Sequence, residues 1–183
     1  MKHCGTQTII TERLLLRRFT QDDAVRMFVN WASDDEVTKF MTWQAHSDIS
    51  VTKSVLNSWI ELYARDDFYN WAIVLKDGNP IGSIGCNPNI GAMNDCAMSV
   101  GYCISKKYWH QGFTSEALKA VISYIFDYTD CMRLEATHDP RNPNSGKVMQ
   151  KCGMRYEGTL RKRGKNNLGI CDQHIYSILR DEK

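Results

Sequence analysis

Between Val100 and Tyr128 the chain reads VGYCISKKYWHQGFTSEALKAVISYIFDY, and the groups best suited to holding an anion crowd its middle. Lys106, Lys107 and His110 bring positive charge, Tyr108 and Trp109 bring flat apolar surface, and Gly112 has no Cβ. From Phe113 the apolar residues Ala117, Leu118, Val121, Ile122, Ile125 and Phe126 recur at spacings of three and four, which predicts a helix lying on a sheet. Its first turn is Phe113-Thr114-Ser115. The first amides of a helix have no carbonyl upstream to bond, and the helix dipole adds roughly half a positive charge there. A glycine just ahead lets a phosphate approach the main chain. Upstream, Met98, Val100, Tyr102 and Ile104 alternate with smaller residues, which predicts a strand. Strand, glycine turn and helix start together make an anion site, and its ligand is expected to carry a pyrophosphate. On Gly112 alone, a strand-turn-helix unit without a ligand fits as well.

A second segment, Asn142-Pro143-Asn144-Ser145-Gly146-Lys147-Val148-Met149-Gln150-Lys151-Cys152-Gly153-Met154, predicts a short helix stopped by Gly153. Asn142 can donate to and accept from amides of a ligand. Asn142 and Ser145 also fit as helix caps. Two familiar nucleotide signatures are missing from the chain: the phosphate loop G-x-x-x-x-G-K-[ST] and the dinucleotide fingerprint G-x-G-x-x-G.

Taken together the two segments resemble the GNAT superfamily of N-acetyltransferases. Trp109 to Thr114 occupies its coenzyme A signature [QR]-x-x-G-x-[GA], with Trp109 and Thr114 departing from the two ends. The longer match from Val100 to Leu118 is similar to the branch of ribosomal-protein alanine and serine N-acetyltransferases. The resemblance implies a mixed α/β fold with a twisted sheet of about seven strands, spanning residues 1–183 as one domain. It implies acetyl-CoA as cosubstrate and no metal. It assigns cofactor binding to Tyr102, Cys103, Ile104, Trp109, His110, Gln111, Gly112, Phe113, Thr114, Ser115, Asn142 and Ser145. The oxyanion donor maps near Cys103 or Ile104.

The acid and base depart from the family pattern. The tyrosine that protonates the leaving thiolate in many relatives is here Met149, and a glutamate of the ribosomal branch is here Ser99. Ser145 is then the expected acid and Glu135 the nearest carboxylate for a base. The base can be modest, because a protein N-terminal amine has a pKa near ~8 and about a tenth of it is neutral at pH 7. The resemblance makes a protein N-terminus the expected acceptor, with a polyamine or antibiotic as alternative, and a catalytically silent acyl-CoA-binding module as another. The segment Thr20 to Arg65 would form the acceptor cleft. Cys103 reads as buried packing rather than as a nucleophile.

Length, composition and periodicity set the frame. With 183 residues, 43% of them hydrophobic, the chain suits one globular core. A net charge of +2 gives no strong nucleic-acid signal, although Arg161, Lys162, Arg163 and Lys165 form a basic turn that could meet an acidic acceptor or RNA. The seven scattered cysteines show no Cys-x-x-Cys spacing, and together with the lack of a leader-like or membrane-length apolar run they predict a cytoplasmic protein. A homodimer stays open beside the monomer. Strands are expected at Ile9–Phe19, Tyr69–Leu75, Ile81–Cys86, Cys96–Ile104, Met132–Thr137, Met154–Leu160 and Ile170–Leu179, and a loop at Asn87–Asp95. Helices are expected after Thr20 and Asp34, over Ser47–Arg65, after Gly112 and over Asn144–Cys152.

Overall fold

The run from Ile9 to Phe19 does not stay in one strand: it breaks at Thr11–Arg13 into β1 (Ile9–Ile10) and β2 (Leu14–Arg17). The break is local: the Thr11 hydroxyl and amide both bond the Leu14 carbonyl, and the Leu14 amide returns to Thr11 Oγ1. The computed structural model describes residues 1–88 and 96–183. The remaining strands are β3 (Tyr69–Leu75), β4 (Pro80–Pro88), β5 (Ala97–Ile104), β6 (Arg133–His138), β7 (Arg155–Asn166) and β8 (Gly169–Leu179). They form one eight-stranded sheet in the order β1-β2-β3-β4-β5-β6-β8-β7, one strand more than expected because of that break. The expected loop at Asn87–Asp95 is corrected at its start, where Asn87 and Pro88 close β4; its other residues lie outside the described ones.

Every pairing is antiparallel except β5 with β6, the two strands joined through α4 (Phe113–Tyr128). That one parallel pairing is short. It runs from Ala97↔Arg133 to Ser99↔Glu135 and ends there, while β5 continues along β4 to Ile104 and β6 continues along β8 to His138. The two central strands therefore part at mid-sheet and leave a wedge between them.

Helices cover both faces. On one, Ala117, Leu118, Val121 and Ile125 of α4 are fully buried against Met98, Val100 and Leu134, with α5 (Pro143–Lys151) beside them. On the other lie a 3₁₀ turn at Gln21–Asp23, α1 (Ala24–Met27), a π-helical turn at Phe28–Ala32, α2 (Asp35–Thr38) and α3 (Ile49–Leu62). Asp34 and Asp48 cap α2 and α3 by accepting from Glu36 and Ser50 amides. The second core holds Phe19, Met27, Trp31, Leu56, Tyr63 and Cys103. Val51 and Ile60 of α3 are 39% and 37% exposed, and its buried face turns on Thr52 and Leu56.

The basic stretch Arg161–Lys165 is not a turn. It belongs to β7, whose pairing with β8 slips between Leu160 and Gly164 so that Arg161, Lys162 and Arg163 form a bulge, with Lys162 at φ 51°. The true turn is Asn167-Leu168, followed by Gly169 at φ 100°, a left-handed position that suits glycine. Asn167 uses its amide to tie this tip to the Thr38 and Trp43 carbonyls across the cleft mouth. All seven cysteines are free thiols, and among the described residues no helix is long and apolar enough to cross a membrane.

Candidate active site

The wedge between β5 and β6 opens into a cleft of about 760 Å³. Its walls include Tyr102, Cys103 and Ile104 of β5, the turn through Trp109, His110 and Gly112, Thr114 and Ser115 of α4, and Asn142 and Ser145 at the start of α5. Two expected cofactor residues, Gln111 and Phe113, are not in the walls. Gln111 Nε2 donates back to the Lys107 carbonyl at 2.9 Å, and Phe113 packs on Tyr108.

Gly112 stands at the N-cap of α4 with φ 82°, and His110 at φ 61° is also left-handed. The first helical bond runs from the Glu116 amide to the Gly112 carbonyl, so the Phe113, Thr114 and Ser115 amides have no carbonyl upstream within the helix. The turn is braced by a residue that spacing could not have linked to it. Arg13, 103 positions upstream of Glu116, donates Nε to the Glu116 carboxylate at 2.6 Å and NH1 to the Gln111 carbonyl at 3.1 Å, and its guanidinium lies 4.3 Å from the Phe113 ring centre. Burial pushes the Glu116 carboxyl up, but hydrogen bonds from Thr11 and Arg13 outweigh it and hold the acid below its ordinary value. The positive charge in the walls comes from Lys147 and Lys151 of α5, with Lys39, Arg141 and Lys165; Lys106 and Lys107 are exposed and outside the lining.

Trp109 takes a structural place. Its Nε1–H donates to the Ile104 carbonyl at 2.9 Å and fixes the end of β5. The direction of the β5 amides follows from the ladder. The Ser105 amide bonds the Ile81 carbonyl of β4, and the Cys96 carbonyl accepts from Met132 on the β6 side. Alternation along a strand then turns the odd-numbered peptide groups toward β4 and the even-numbered ones toward β6. Beyond Ser99 the β6 partner is gone, so the Tyr102 and Ile104 amides face the wedge, while the Cys103 amide faces Ser83. Of the two residues expected to supply an oxyanion donor, Cys103 is thus turned away and Ile104 is not. The Cys103 thiol is 3.2 Å from Ser83 Oγ, and burial pushes its pKa up, which keeps it a thiol.

Asn142 occupies the N-cap of α5, but its side chain makes no capping bond and lines the cleft. Ser145 is paired with Tyr102, a contact across 43 positions that spacing does not reveal. The Tyr102 hydroxyl donates to the Ser145 carbonyl at 2.9 Å and lies 3.1 Å from Ser145 Oγ. Burial holds the Tyr102 phenol well above its ordinary pKa, so it keeps its proton. Met149 is buried beneath them.

Glu135 is placed otherwise than expected. It is not in the cleft lining, and its carboxylate lies 3.3 Å from the Arg133 guanidinium, which also holds Glu157 at 2.5 Å. Ser99 does line the cleft, as a hydroxyl. Glu157 is held down to about 2, first by Arg133 and then by Ser177, against the effect of burial. A lowered folded pKa means that its stabilisation is full above the unfolded value of 4.5 and is lost as pH falls toward 2. Acid unfolding of Glu157→Gln should therefore show a shallower fall in stability between those values, as measured by denaturant midpoints across the pH series.

His138 and Asp139 fix the β6–α5 corner. The Asp139 carboxylate accepts from the Arg141 amide and guanidinium and from Asn166 Nδ2, and the Arg141 contacts hold its pKa far below the carboxylate range. A Cβ at Gly146 would lie 2.6 Å from His138 Nε2, so only glycine lets α5 come this close. Among the described residues no group of three or more His, Cys, Asp or Glu could hold a metal ion.

The chain as a whole is similar to known proteins. Residues 13–155 match the family model described as an acetyltransferase (GNAT) domain. The chain belongs to the GNAT acetyltransferases. It is 30% identical over 177 residues, 96% of this chain and 98% of the relative, to an uncharacterized N-acetyltransferase, p20, from Bacillus licheniformis. A crystal structure of a GNAT-family acetyltransferase from Bacillus anthracis superposes with a TM-score of 0.83 at 27% identity, covering 96% of this chain and 99% of that one. RimL, a ribosomal L7/L12 alpha-N-protein acetyltransferase solved with coenzyme A, shares the fold at TM-score 0.84 and 18% identity, over 97% of this chain and 100% of that one. The mixed α/β fold and an acetyl-CoA-dependent acetyltransferase activity are thereby established for this GNAT enzyme.

Proposed function

We propose that the enzyme transfers an acetyl group from acetyl-CoA to a primary amine by direct attack, with donor and acceptor meeting at the β5–β6 wedge. The observation that carries this is the pair of main-chain amides, of Tyr102 and Ile104, left without a strand partner where the cleft narrows. The residues present fit the donor: a left-handed glycine, Thr114 and Ser115 at a helix start, Asn142 and two lysines of α5 all line the cleft. Acetyl-CoA, when bound, supplies the thioester. Gly112 and the Phe113–Ser115 amides hold the diphosphate, and Asn142 bonds the amide-bearing arm. The Tyr102 amide donates to the carbonyl oxygen as charge builds there. As the N–C bond forms and the C–S bond breaks, Ser145 Oγ–H would give a proton to the leaving sulfur; Tyr102 Oη–H, 3.1 Å away, would turn from the Ser145 carbonyl to reprotonate Oγ, and the proton lost by the amine, carried by solvent, would restore Tyr102.

The acceptor enters from the face covered by α1 to α3. A protein N-terminus is the acceptor by likeness to RimL, an alpha-N-protein acetyltransferase. Thiol release with peptides that differ in their first residue, Ala and Ser among them, and mass mapping of the modified atom, tests this. Acetylation of a side-chain lysine only, or of polyamines only, would reject the N-terminal reading.

A further inference from the structure

A second cavity, of about 410 Å³, lies on the α1–α3 face of the sheet and meets the first along Gly101, Tyr102 and Cys103. The size is in the lower part of the range for small-molecule pockets, roughly 300–1,000 Å³. Its walls include Trp31, Trp43 and Trp59 with Met27, Met41 and Phe68, and among the described residues no Asp, Glu, Lys or Arg contributes to them. The donor cleft, by contrast, is lined by seven such residues, from Glu36 to Lys165. His46 is the one titratable imidazole in the second cavity; its Nδ1 lies 2.8 Å from Thr52 Oγ1, its ring packs on Trp43, and burial lowers its pKa.

Three buried polar side-chain atoms among the described residues have no hydrogen-bond partner, and two of them, Trp31 Nε1 and Asn70 Nδ2, belong to residues of this cavity. A buried donor left unpaired costs on the order of 1–3 kcal/mol, so such groups persist chiefly where a ligand or water completes them. Trp31 is fully buried. At the junction, a Cβ on Gly101 would meet nothing within 4 Å. Position 101 shares the strand face of Cys103, which belongs to the second core, so that open space lies on the cavity side.

We infer that this cavity selects the acceptor, and that the acceptor amine sits on an uncharged, aromatic-sized body bearing a hydrogen-bond acceptor for Trp31 and Asn70. The inference rests on the transferase reading for its chemistry, but the cavity's selectivity can be read by binding alone. An alanine or serine side chain would leave most of the space empty, and a polyamine would bring charge against walls to which the described residues bring no carboxylate.

Calorimetry on the full chain, without acetyl-CoA, is run with phenylalaninamide, 2-phenylethylamine, spermidine and an Ala-starting peptide, and thiol release follows with the same amines. Phenylalaninamide is expected to bind at least tenfold more tightly than spermidine or the Ala peptide, and to be turned over with the highest kcat/KM. Trp31→Phe keeps a ring but removes the donor, so it should weaken phenylalaninamide about fivefold, the worth of one ordinary hydrogen bond, and leave 2-phenylethylamine unchanged. Gly101→Val should raise the KM for phenylalaninamide about tenfold or more, with coenzyme A calorimetry unchanged. A Phe-starting peptide preferred over phenylalaninamide would assign the same chemistry to a protein N-terminus. Spermidine or the Ala peptide binding best, or Trp31→Phe weakening all amines alike, overturns the inference. Aromatic amines that bind while coenzyme A does not would uphold the cavity and refute the donor assignment instead.

Discussion

Gly112→Val is expected to raise the acetyl-CoA KM on the order of 10–100-fold in a protein that still folds. Two effects combine at this position. At φ 82° a Cβ-bearing residue is strained by roughly 1–2 kcal/mol, and a β-branched one is among the worst suited. That cost alone lowers the melting midpoint of a chain this size by only a few degrees. The larger effect is local. Valine either forces the turn out of the left-handed region or places methyl groups beside the helix start, with Arg13 NH2 already 3.5 Å from the first new carbon. Either way the Phe113–Ser115 amides lose their approach to a diphosphate, and charge-assisted bonds of this kind are worth roughly 1.5–3 kcal/mol each. Steady-state kinetics with acetyl-CoA varied, beside a thermal melt, separates the two effects. An unchanged KM in the folded variant would remove Gly112 from the donor site. A lost fold would point to the Arg13–Glu116 brace as the true reason for the glycine.

How far this site could be read from the sequence depended on distance along the chain. The Gly112 turn was legible because strand, glycine and helix start are consecutive, and the apolar spacing of α4 marks its buried face without ambiguity. The N-cap role of Asn142 and the stop at Gly153 were legible for the same reason. Arg13 was not, because it reads as one more charged residue between leucines, and only the fold brings it to Glu116. The direction of the β5 amides needed the register with β4, which decides between Cys103 and its neighbours. Glu135 lies outside the cleft beside Arg133, a same-face neighbour that the strand period of two already implies; only the fold adds Glu157 to that guanidinium. In β7 the dense charges of Arg161–Lys165 imitated a loop; a three-residue bulge keeps them in a strand, with the turn only at Asn167-Leu168. The unpaired donors of the second cavity were not legible at all, because they depend on what the Trp31 indole and the Asn70 amide fail to touch.

Ser145→Ala and Tyr102→Phe are each expected to lower kcat on the order of 10–100-fold near pH 7, near and below the low end of general acid effects, with little change in acetyl-CoA KM. Removing both should cost scarcely more than removing one, because the two hydroxyls lie 3.1 Å apart and act as one path. The modest size follows from the leaving group. A thiol ionises near ~8.5, so the departing sulfur is a weak base and gains little from an acid once the pH exceeds that value. The deficit of both variants should therefore shrink as the pH rises from 7 to about 9.5. Tyr102 keeps its proton over that range, since burial holds the phenol well above it, and so the recovery cannot come from Tyr102 ionising. A packing defect predicts the opposite. Ser145 helps seat α5 and Tyr102 is half-buried beneath it, so a merely structural loss would depress kcat equally at every pH and lower the melting midpoint in step. Additive losses, or a deficit flat with pH, would leave the proton to solvent and reduce the pair to the seat of α5.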